Sequence, residues 1–467
     1  MSQAQPLYQA RVPIHPRSVK GRFRHLKTAI LLLAYGVFFA LPWIRWEREY
    51  GPNQAVLFDI PGRQFHIFDL TVYPQDIFWL AGLLVLAALM LFFVTGLAGR
   101  VFCGYFCFQT LWTDVFMFLE RRIQGERPAR LRLAKKPWNV EKITKYGLTH
   151  AAWLLVAFAT GLGFILYWGN APTIVQQFFT GEAVHAAYVT AGILTATTYT
   201  FAGLAREQVC TFMCPYARFQ SVMFDRDTLI VSYDQDRGEG EAGRAKVRAG
   251  LKTREERQAA GVGDCIDCGY CVQVCPTGID IRDGLQYQCI HCALCIDACD
   301  TIMDKQGWPR GLIGYTSERQ LEDGRKARIF RGKTIGYAVV LVIVAAGLIS
   351  SILTRPPVDA NVNQVRQPLY VQMSDGQIQN GYEIRINNTS DQELDFQIGL
   401  EGLEGAELDL GRLDEIRLVP GERVTVAAQV RHEVERDADS PQPFEFVIAD
   451  RDGSIEPLRV TSQFSHR

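Results

Sequence analysis

Long apolar runs alternate with charged stretches along most of this chain, and from Arg366 the texture changes to short alternating segments. Five runs approach or reach the roughly 20 residues a helix needs to cross a bilayer. They are Thr28–Ile44, Ile77–Leu97, Gly147–Trp168, Ala183–Ala205 and Ile335–Leu353. A further stretch, Val101–Leu119, has 19 residues and one charge, Asp114. It follows the second run with almost no room for a turn, and crossing would carry the basic loop Arg121–Lys145 to the other side. It predicts an interfacial or re-entrant segment rather than a span. Beyond Arg366 the runs are Leu369–Met373, Tyr382–Ile386, Leu394–Ile398, Ile416–Val419, Val424–Val430, Phe444–Ile448 and Leu458–Val460. Asp375-Gly376, Asn387-Asn388, Pro420-Gly421 and Asp452-Gly453 punctuate them. This pattern predicts an immunoglobulin-like β-sandwich. It has no cysteine and no catalytic set, which suits a binding or docking module.

Loop charge orients these elements. The leader holds Arg11, Arg17, Lys20, Arg22, Arg24 and Lys27, and the loop after the second run holds ten Lys and Arg between Arg100 and Lys145. The loop between the third and fourth runs has neither. Basic loops stay in the cytoplasm, so the amino terminus is expected inside and the carboxyl terminus outside. No cleavable signal peptide is expected, because the first apolar run begins only after the basic leader. The expected organisation is a leader over residues 1–27, a four-span domain over 28–205, a cytoplasmic domain with linkers over 206–334, a fifth span over 335–353 and an outer domain over 358–467. The linkers Asp234–Gly263 and Gly307–Arg331 read as helical or loosely ordered tethers.

The averages, 48% hydrophobic and a net charge of −1 over 467 residues, hide this asymmetry. Val358–Arg467 carries 10 Arg, no Lys and 21 Asp plus Glu. A single soluble globule is excluded, and no domain is basic enough to be a nucleic-acid binder. All 12 cysteines precede Asp300 and fall in metal-type spacings, which argues against a secreted disulfide protein.

Eight of those cysteines read Cys265-x2-Cys268-x2-Cys271-x3-Cys275-Pro276, then Cys289-x2-Cys292-x2-Cys295-x3-Cys299. This doubled spacing is the bacterial two-cluster ferredoxin pattern, in which the fourth cysteine of each run serves the other cluster. It assigns Cys265, Cys268, Cys271 and Cys299 to one [4Fe–4S] cluster, and Cys289, Cys292, Cys295 and Cys275 to the other. Two zinc sites are the plainer alternative, disfavoured by the doubling and by Pro276. Asp300 stands where the second run would usually have proline. Two adjacent clusters make a one-electron relay, not a site of bond chemistry.

The other four form equal pairs, Cys103-x3-Cys107 after the second run and Cys210-x3-Cys214-Pro215 after the fourth. In a helix, residues i and i+4 share a face, so each pair is expected to aim two sulfurs at one point. Side by side they would make a four-thiolate pocket suited to Cu(I), zinc or an iron–sulfur centre. Buried structural cysteines are the alternative. Spacing alone leaves metal chelation and thiol–disulfide redox both open. Met213 and Met117 could add a thioether, with packing as the simpler role. His150 and His185 begin the third and fourth runs on opposite faces and read as packing or surface residues.

Three segments carry a resemblance. Phe102-Cys-Gly-Tyr-Phe-Cys-Phe-Gln-Thr-Leu-Trp-Thr-Asp114, Cys210-Thr-Phe-Met-Cys-Pro-Tyr-Ala-Arg-Phe-Gln220 and Cys275-Pro-Thr-Gly-Ile-Asp-Ile-Arg-Asp-Gly-Leu-Gln286 resemble the cytochrome c oxidase accessory protein family, the FixG/RdxA/CcoG group. The resemblance spans nearly the whole chain. One departure is Phe108, where the family's first pair is usually followed by proline; a looser turn is expected there.

The resemblance implies a multi-pass protein of the bacterial inner membrane with a periplasmic tail. It implies reduction of Cu(II) to Cu(I) for building a cbb3-type oxidase, which would make the protein a cupric reductase. Cys103, Cys107, Cys210 and Cys214 would then form the copper reduction site. Implied partners are the lipid bilayer, oxidase subunits or other copper-assembly factors, and a cytoplasmic electron donor. Two other functions compete. A quinol-linked relay to an outer reductase would need quinol chemistry near the membrane, and no haem ligands or clear base are evident. A non-catalytic assembly scaffold would use the clusters for structure or sensing.

Overall fold

The computed structural model describes residues 13–466, apart from residues 49, 391, 412–414 and 435–439. Arg11, in the first part of the leader, lies outside the described residues. The chain divides into two units, Met1–Trp46 with Gln54–Ala346, and Glu47–Asn53 with Gly347–Arg467.

Among the described residues, 5 helical segments are long and apolar enough to cross a membrane: Arg22–Trp43, Pro74–Ala98, Val101–Gln124, Val140–Trp168 and Gly332–Leu353. The chain is a polytopic α-helical membrane protein. Four of these segments contain expected runs, but the set differs at one member. Ala183–Ala205 forms an α-helix of only 14 residues, His185–Thr198, which continues into wider π turns over Tyr199–Ala205. Its threonines dilute its hydropathy. It still packs closely along Val140–Ile165, where a Cβ on Gly161 would stand 2.5 Å from the Ala191 carbonyl oxygen. Small residues let the two backbones approach.

Val101–Gln124 is not one straight helix. It breaks between Val101–Tyr105 and Phe108–Gln124. Both of its ends return to the cysteine-rich insert. At one end, Arg100 donates to the Tyr287 carbonyl. At the other, Ser18 donates to Glu126 at 2.8 Å, and Tyr270 of the insert donates to the Ser18 carbonyl at 3.0 Å. Neighbouring helices supply its polar partners. Trp112 donates to Thr160 at 2.8 Å, Trp153 donates to the Phe116 carbonyl at 3.1 Å, and Asp114 pairs with Arg24 at 2.8 Å.

The two expected tethers are ordered parts of the insert. Strand Ile230–Tyr233 pairs antiparallel with Ile313–Thr316, closing the insert at its base. Arg257 is fully buried and donates to the carbonyls of Gly263, Ala245 and Cys265, while Asp264 pairs with Arg237 and Arg254. Charge density suggested a solvated tether; most of its charges do face solvent, but Arg257 turns inward onto backbone carbonyls and Arg237 and Arg254 pair with buried Asp264. A second unanticipated element is a small antiparallel sheet, Val56–Asp59, Gln64–Ile67 and Leu70–Val72, in the loop between the first two spans.

The second unit is a two-sheet immunoglobulin-like region. One sheet orders Glu407–Asp409, Arg423–His432, Ile378–Asn388 and Val358–Gln364, with Val371–Gln372 also on Ile378–Asn388. The other orders Ile416–Leu418, Leu394–Glu401, Gln442–Asp450 and Leu458–Phe464. Alternate residues point inward: Tyr382, Ile384 and Ile386 from one sheet meet Phe396, Phe444, Phe446 and Ile448 from the other. All seven expected strands are present. Val358–Gln364 was not anticipated. Its inward Val358, Ala360 and Val362 alternate with Asp and Asn, which are poor strand formers.

One charge set in the first unit invites a stability test. Glu120 accepts Arg130 at 3.2 Å and Arg206 at 3.0 Å, and all three side chains are buried or nearly so. Removing the shared carboxylate leaves two cations without their counter-charge. Glu120→Ala should destabilise the membrane unit by about 3–5 kcal/mol, read as a lower thermal unfolding midpoint in detergent. Arg385→Ala, at an exposed pair on the outer unit, should leave the midpoint within error.

Candidate functional site

The octet is built from two matched loops. In Cys265–Cys271 the left-handed backbone positions are Asp267 and Gly269; in Cys289–Cys295 they are His291 and Ala293. Each loop thus turns at the same two places, one residue before and one residue after its middle cysteine. Non-glycine residues there are strained by roughly 1–2 kcal/mol each, and the reward is three sulfurs on the concave side. A short helix follows each loop, Tyr270–Val274 in one half and Leu294–Gln306 in the other.

Two small cavities result. One is lined by Cys265, Cys268, Cys271 and Cys299. The other is lined by Cys275, Cys289, Cys292 and Cys295, with Cys271 at its wall. The long-range crossing is therefore present: Cys299 sits with the first loop and Cys275 with the second. Val231, Ile279, Ile281 and Leu294 line the second cavity, and Tyr233, Ile302, Met303, Leu312 and Ile313 the first. Burial pushes the Cys271 and Cys289 thiols up to about 12, and Cys299 higher still. Eight thiols around two apolar voids fit two [4Fe–4S] clusters, since a bound metal centre displaces the thiol proton and shares the buried charge.

The membrane-edge pairs depart from the expected i, i+4 helical face. Cys103 lies within Val101–Tyr105, but Cys107 is extended, at φ −65° and ψ 125°, and caps the next helix. Cys210 lies in the π turn Val209–Met213, and Cys214 is extended, at φ −81° and ψ 110°, capping Pro215–Met223. Pro215 forces extension on the residue before it. Phe108 cannot, yet Cys107 adopts nearly the same geometry. Thr110 supplies the constraint, its hydroxyl donating to the carbonyls of Cys103 at 2.6 Å and Cys107 at 2.9 Å. The looser turn expected at Phe108 is absent for that reason.

The four thiols are electrostatic neighbours. Burial lifts the Cys210 thiol to about 12; Cys107 and Cys103 add to the rise and the Arg100 guanidinium opposes it. Among the described residues, no three Cys, His, Asp or Glu side chains converge as ligands of one ion. In the quartet each second cysteine has left its helix, so the sulfurs are not brought together through the shared helical face that the spacing suggested. Met117 is buried in packing and Met213 is exposed. His150 bonds the Tyr199 hydroxyl at 2.9 Å and packs on Trp153.

Residues that spacing did not single out join the two sets. Arg100, 2% exposed, donates from Nε to Gln220 at 3.0 Å, and Cys103 Sγ donates to the same Gln220 oxygen at 3.3 Å. The Arg100 backbone N–H donates to His291 Nδ1 at 3.0 Å, which leaves the ring proton on Nε2. Burial, and secondarily the Arg100 charge, lowers His291 to about 4, so the ring stays neutral. Gln220 closes one quoted motif and Arg100 precedes another. Their only sequence signal was that adjacency, and His291 was hidden inside the octet.

Comparisons with known proteins agree with this construction. Residues 205–318 match a 4Fe-4S dicluster domain, and residues 348–466 match the IG-like fold at the C-terminus of FixG. The chain is 45% identical to Protein RdxB of Cereibacter sphaeroides over 410 residues, covering 85% of this chain and 84% of that one. It is 44% identical to Protein RdxA of the same organism over 413 residues, 86% of this chain and 85% of that one. It is 41% identical to nitrogen fixation protein FixG of Rhizobium meliloti over 458 residues, 91% of this chain and 85% of that one.

The crossed ligation makes a specific forecast. Anaerobically purified protein should hold roughly eight iron and eight acid-labile sulfide. Cys299→Ser should remove the cluster of the first loop and spare the second, and Cys275→Ser the reverse, each read by iron analysis and electron paramagnetic resonance. Loss of the same signal in both variants would disprove the crossing.

Proposed function

The chain belongs to the FixG/RdxA family, and from that premise we propose that this iron–sulfur membrane protein reduces Cu(II) to Cu(I) at its two cysteine pairs, for assembly of a cbb3-type oxidase. The observation that carries the reading is the contact chain from His291 through Arg100 and Gln220 to Cys103, which sets a soft thiol group beside an electron-transfer insert. Cu(II) prefers nitrogen and oxygen ligands while Cu(I) prefers thiolates. A thiol site therefore favours the reduced ion and retains it after reduction.

Bound [4Fe–4S] clusters supply electrons one at a time, matching a one-electron acceptor. Cys265, Cys268, Cys271 and Cys299 would hold one, and Cys289, Cys292, Cys295 and Cys275 the other. Gln220 orients Cys103 by accepting its S–H, and Arg100 places a positive charge near Cys103, Cys107 and Cys210 that opposes the rise burial imposes on their thiols. Each Cu(II) takes one electron and becomes one Cu(I), and a cytoplasmic reductant replaces it. On this reading the protein lies in the bacterial inner membrane, with the insert in the cytoplasm and the immunoglobulin-like region in the periplasm, within reach of oxidase subunits or copper-assembly factors. The Lys/Arg asymmetry of the loops supports that orientation.

Cys210→Ala and Cys214→Ala should abolish copper reduction by the dithionite-reduced protein while iron content stays at the wild-type level. Cys103→Ala and Cys107→Ala should do the same, and cells carrying any of them should lack active cbb3-type oxidase until copper is added. Full copper reduction and oxidase activity in all four variants would leave the pairs structural and favour a scaffold. Retained copper binding with lost quinol oxidation would favour the quinol-linked relay.

For topology, a reporter fused after Leu353 should read outside and one within Asp234–Gly263 inside. A reporter at Pro128 reading outside would mean that Val101–Gln124 crosses, and the orientation would have to be abandoned.

A further inference from the structure

The two halves of the octet are not equivalent with respect to the cysteine pairs. The loop bearing Cys292 is pressed against the segment bearing Cys103. A Cβ on Gly104 would stand 2.6 Å from the Ile290 carbonyl oxygen and 3.0 Å from the Cys292 Cα, so only glycine allows this approach. Tyr105, 3% exposed, donates its hydroxyl to the Cys292 carbonyl at 3.0 Å. Cys103 and Cys292 belong to one buried apolar cluster with Ile290 and Leu294, so the space between them is dry. The Arg100 backbone holds His291 from the same side. The other half instead turns Cys268 to solvent, the exposed cysteine among the eight.

We infer that the half built from Cys275, Cys289, Cys292 and Cys295 is the one that delivers electrons to the cysteine pairs, with Gly104 and Tyr105 as the positioning residues of that contact. The half with Cys268 is then the one open to the reductant. Gly104 acts by permitting close approach, and Tyr105 by bonding a ligand's own carbonyl. That bond fixes the peptide beside the Cys292 sulfur, and a change in the polar surroundings of a bound centre would shift its potential. The inference rests on the copper reading for its acceptor, but the asymmetry of contact does not. One electron leaves per Cu(II), giving one Cu(I), and dithionite supplies it in the test.

Two measurements on the full-length anaerobic protein separate the possibilities. In redox titrations followed by electron paramagnetic resonance, Tyr105→Phe should shift the potential of one cluster, the one absent from Cys275→Ser, and leave the other in place. A purely structural role for Tyr105 would move both potentials or neither, and either result overturns the assignment. In stopped-flow mixing with Cu(II), Gly104→Val should keep wild-type iron content and dithionite-reduced spectrum yet lose most of its rate of cluster reoxidation. An unchanged rate in Gly104→Val, with wild-type protein reoxidised normally, also overturns it. If wild-type clusters are not reoxidised by Cu(II) at all, the copper reading fails, and the Tyr105 titration alone decides the inference.

Discussion

A guanidinium buried at the end of a membrane helix must find its acceptors inside the protein, and Arg100 finds two, while its backbone finds a third. Its side chain reaches Gln220 of the helix after the second cysteine pair and the Tyr287 carbonyl of the insert, and its own N–H meets His291. A charge this enclosed is expensive to leave unpaired, several kcal/mol by general experience. The second span, the insert and both cysteine pairs are therefore fastened at one residue. Displacing any of them would strand that charge.

Other contacts repeat this logic along the face of the insert. Asp297, from the helix that follows the second cysteine loop, accepts the backbone N–H groups of Phe23 at 3.2 Å and Arg24 at 2.7 Å. It satisfies free donors at the start of the first spanning helix and meets that helix's positive end. A Cβ on Gly21 would strike the same carboxylate at 2.3 Å. The described part of the leader thus lies against the insert before it enters the first span. This seating explains why one unit includes both the bundle and the insert, and why the cysteine sets can face each other without a linker's freedom between them.

The paired geometries of Cys107 and Cys214 show one backbone solution reached by two routes. Proline at the first helical position dictates extension at Cys214. At Cys107 a threonine hydroxyl, bonding two carbonyls, does the same. Equal spacing in sequence came out as equal geometry in space, though not through the shared helical face that i, i+4 spacing suggests. The consequence is structural: the second cysteine of each pair is joined to a helix start.

Local chemistry made much of this legible in advance. Apolar runs must be buried or sit in lipid, so membrane helices announce themselves in the sequence. Alternation marks half-buried strands, which is why seven outer strands were readable. Doubled cysteine spacing reflects the tight turns that thiolate convergence demands, and it picked out the two sets of four cysteines that line the two cavities. What spacing could not decide was set by contacts far apart in the chain. The seating of Val101–Gln124 depends on Arg100 meeting the insert at one end and Glu126 meeting the leader at the other. The order within the charged linkers depends on carbonyls that only the folded insert presents to Arg257. Val358–Gln364 becomes a strand because Ile378–Asn388 offers it seven paired positions, Val358 to Asn388 through Gln364 to Tyr382. Arg100, Gln220, His291 and Gly104 acquire their roles only where the insert touches the membrane unit, because burial and close approach are properties of a place, and a sequence names residues without their neighbours.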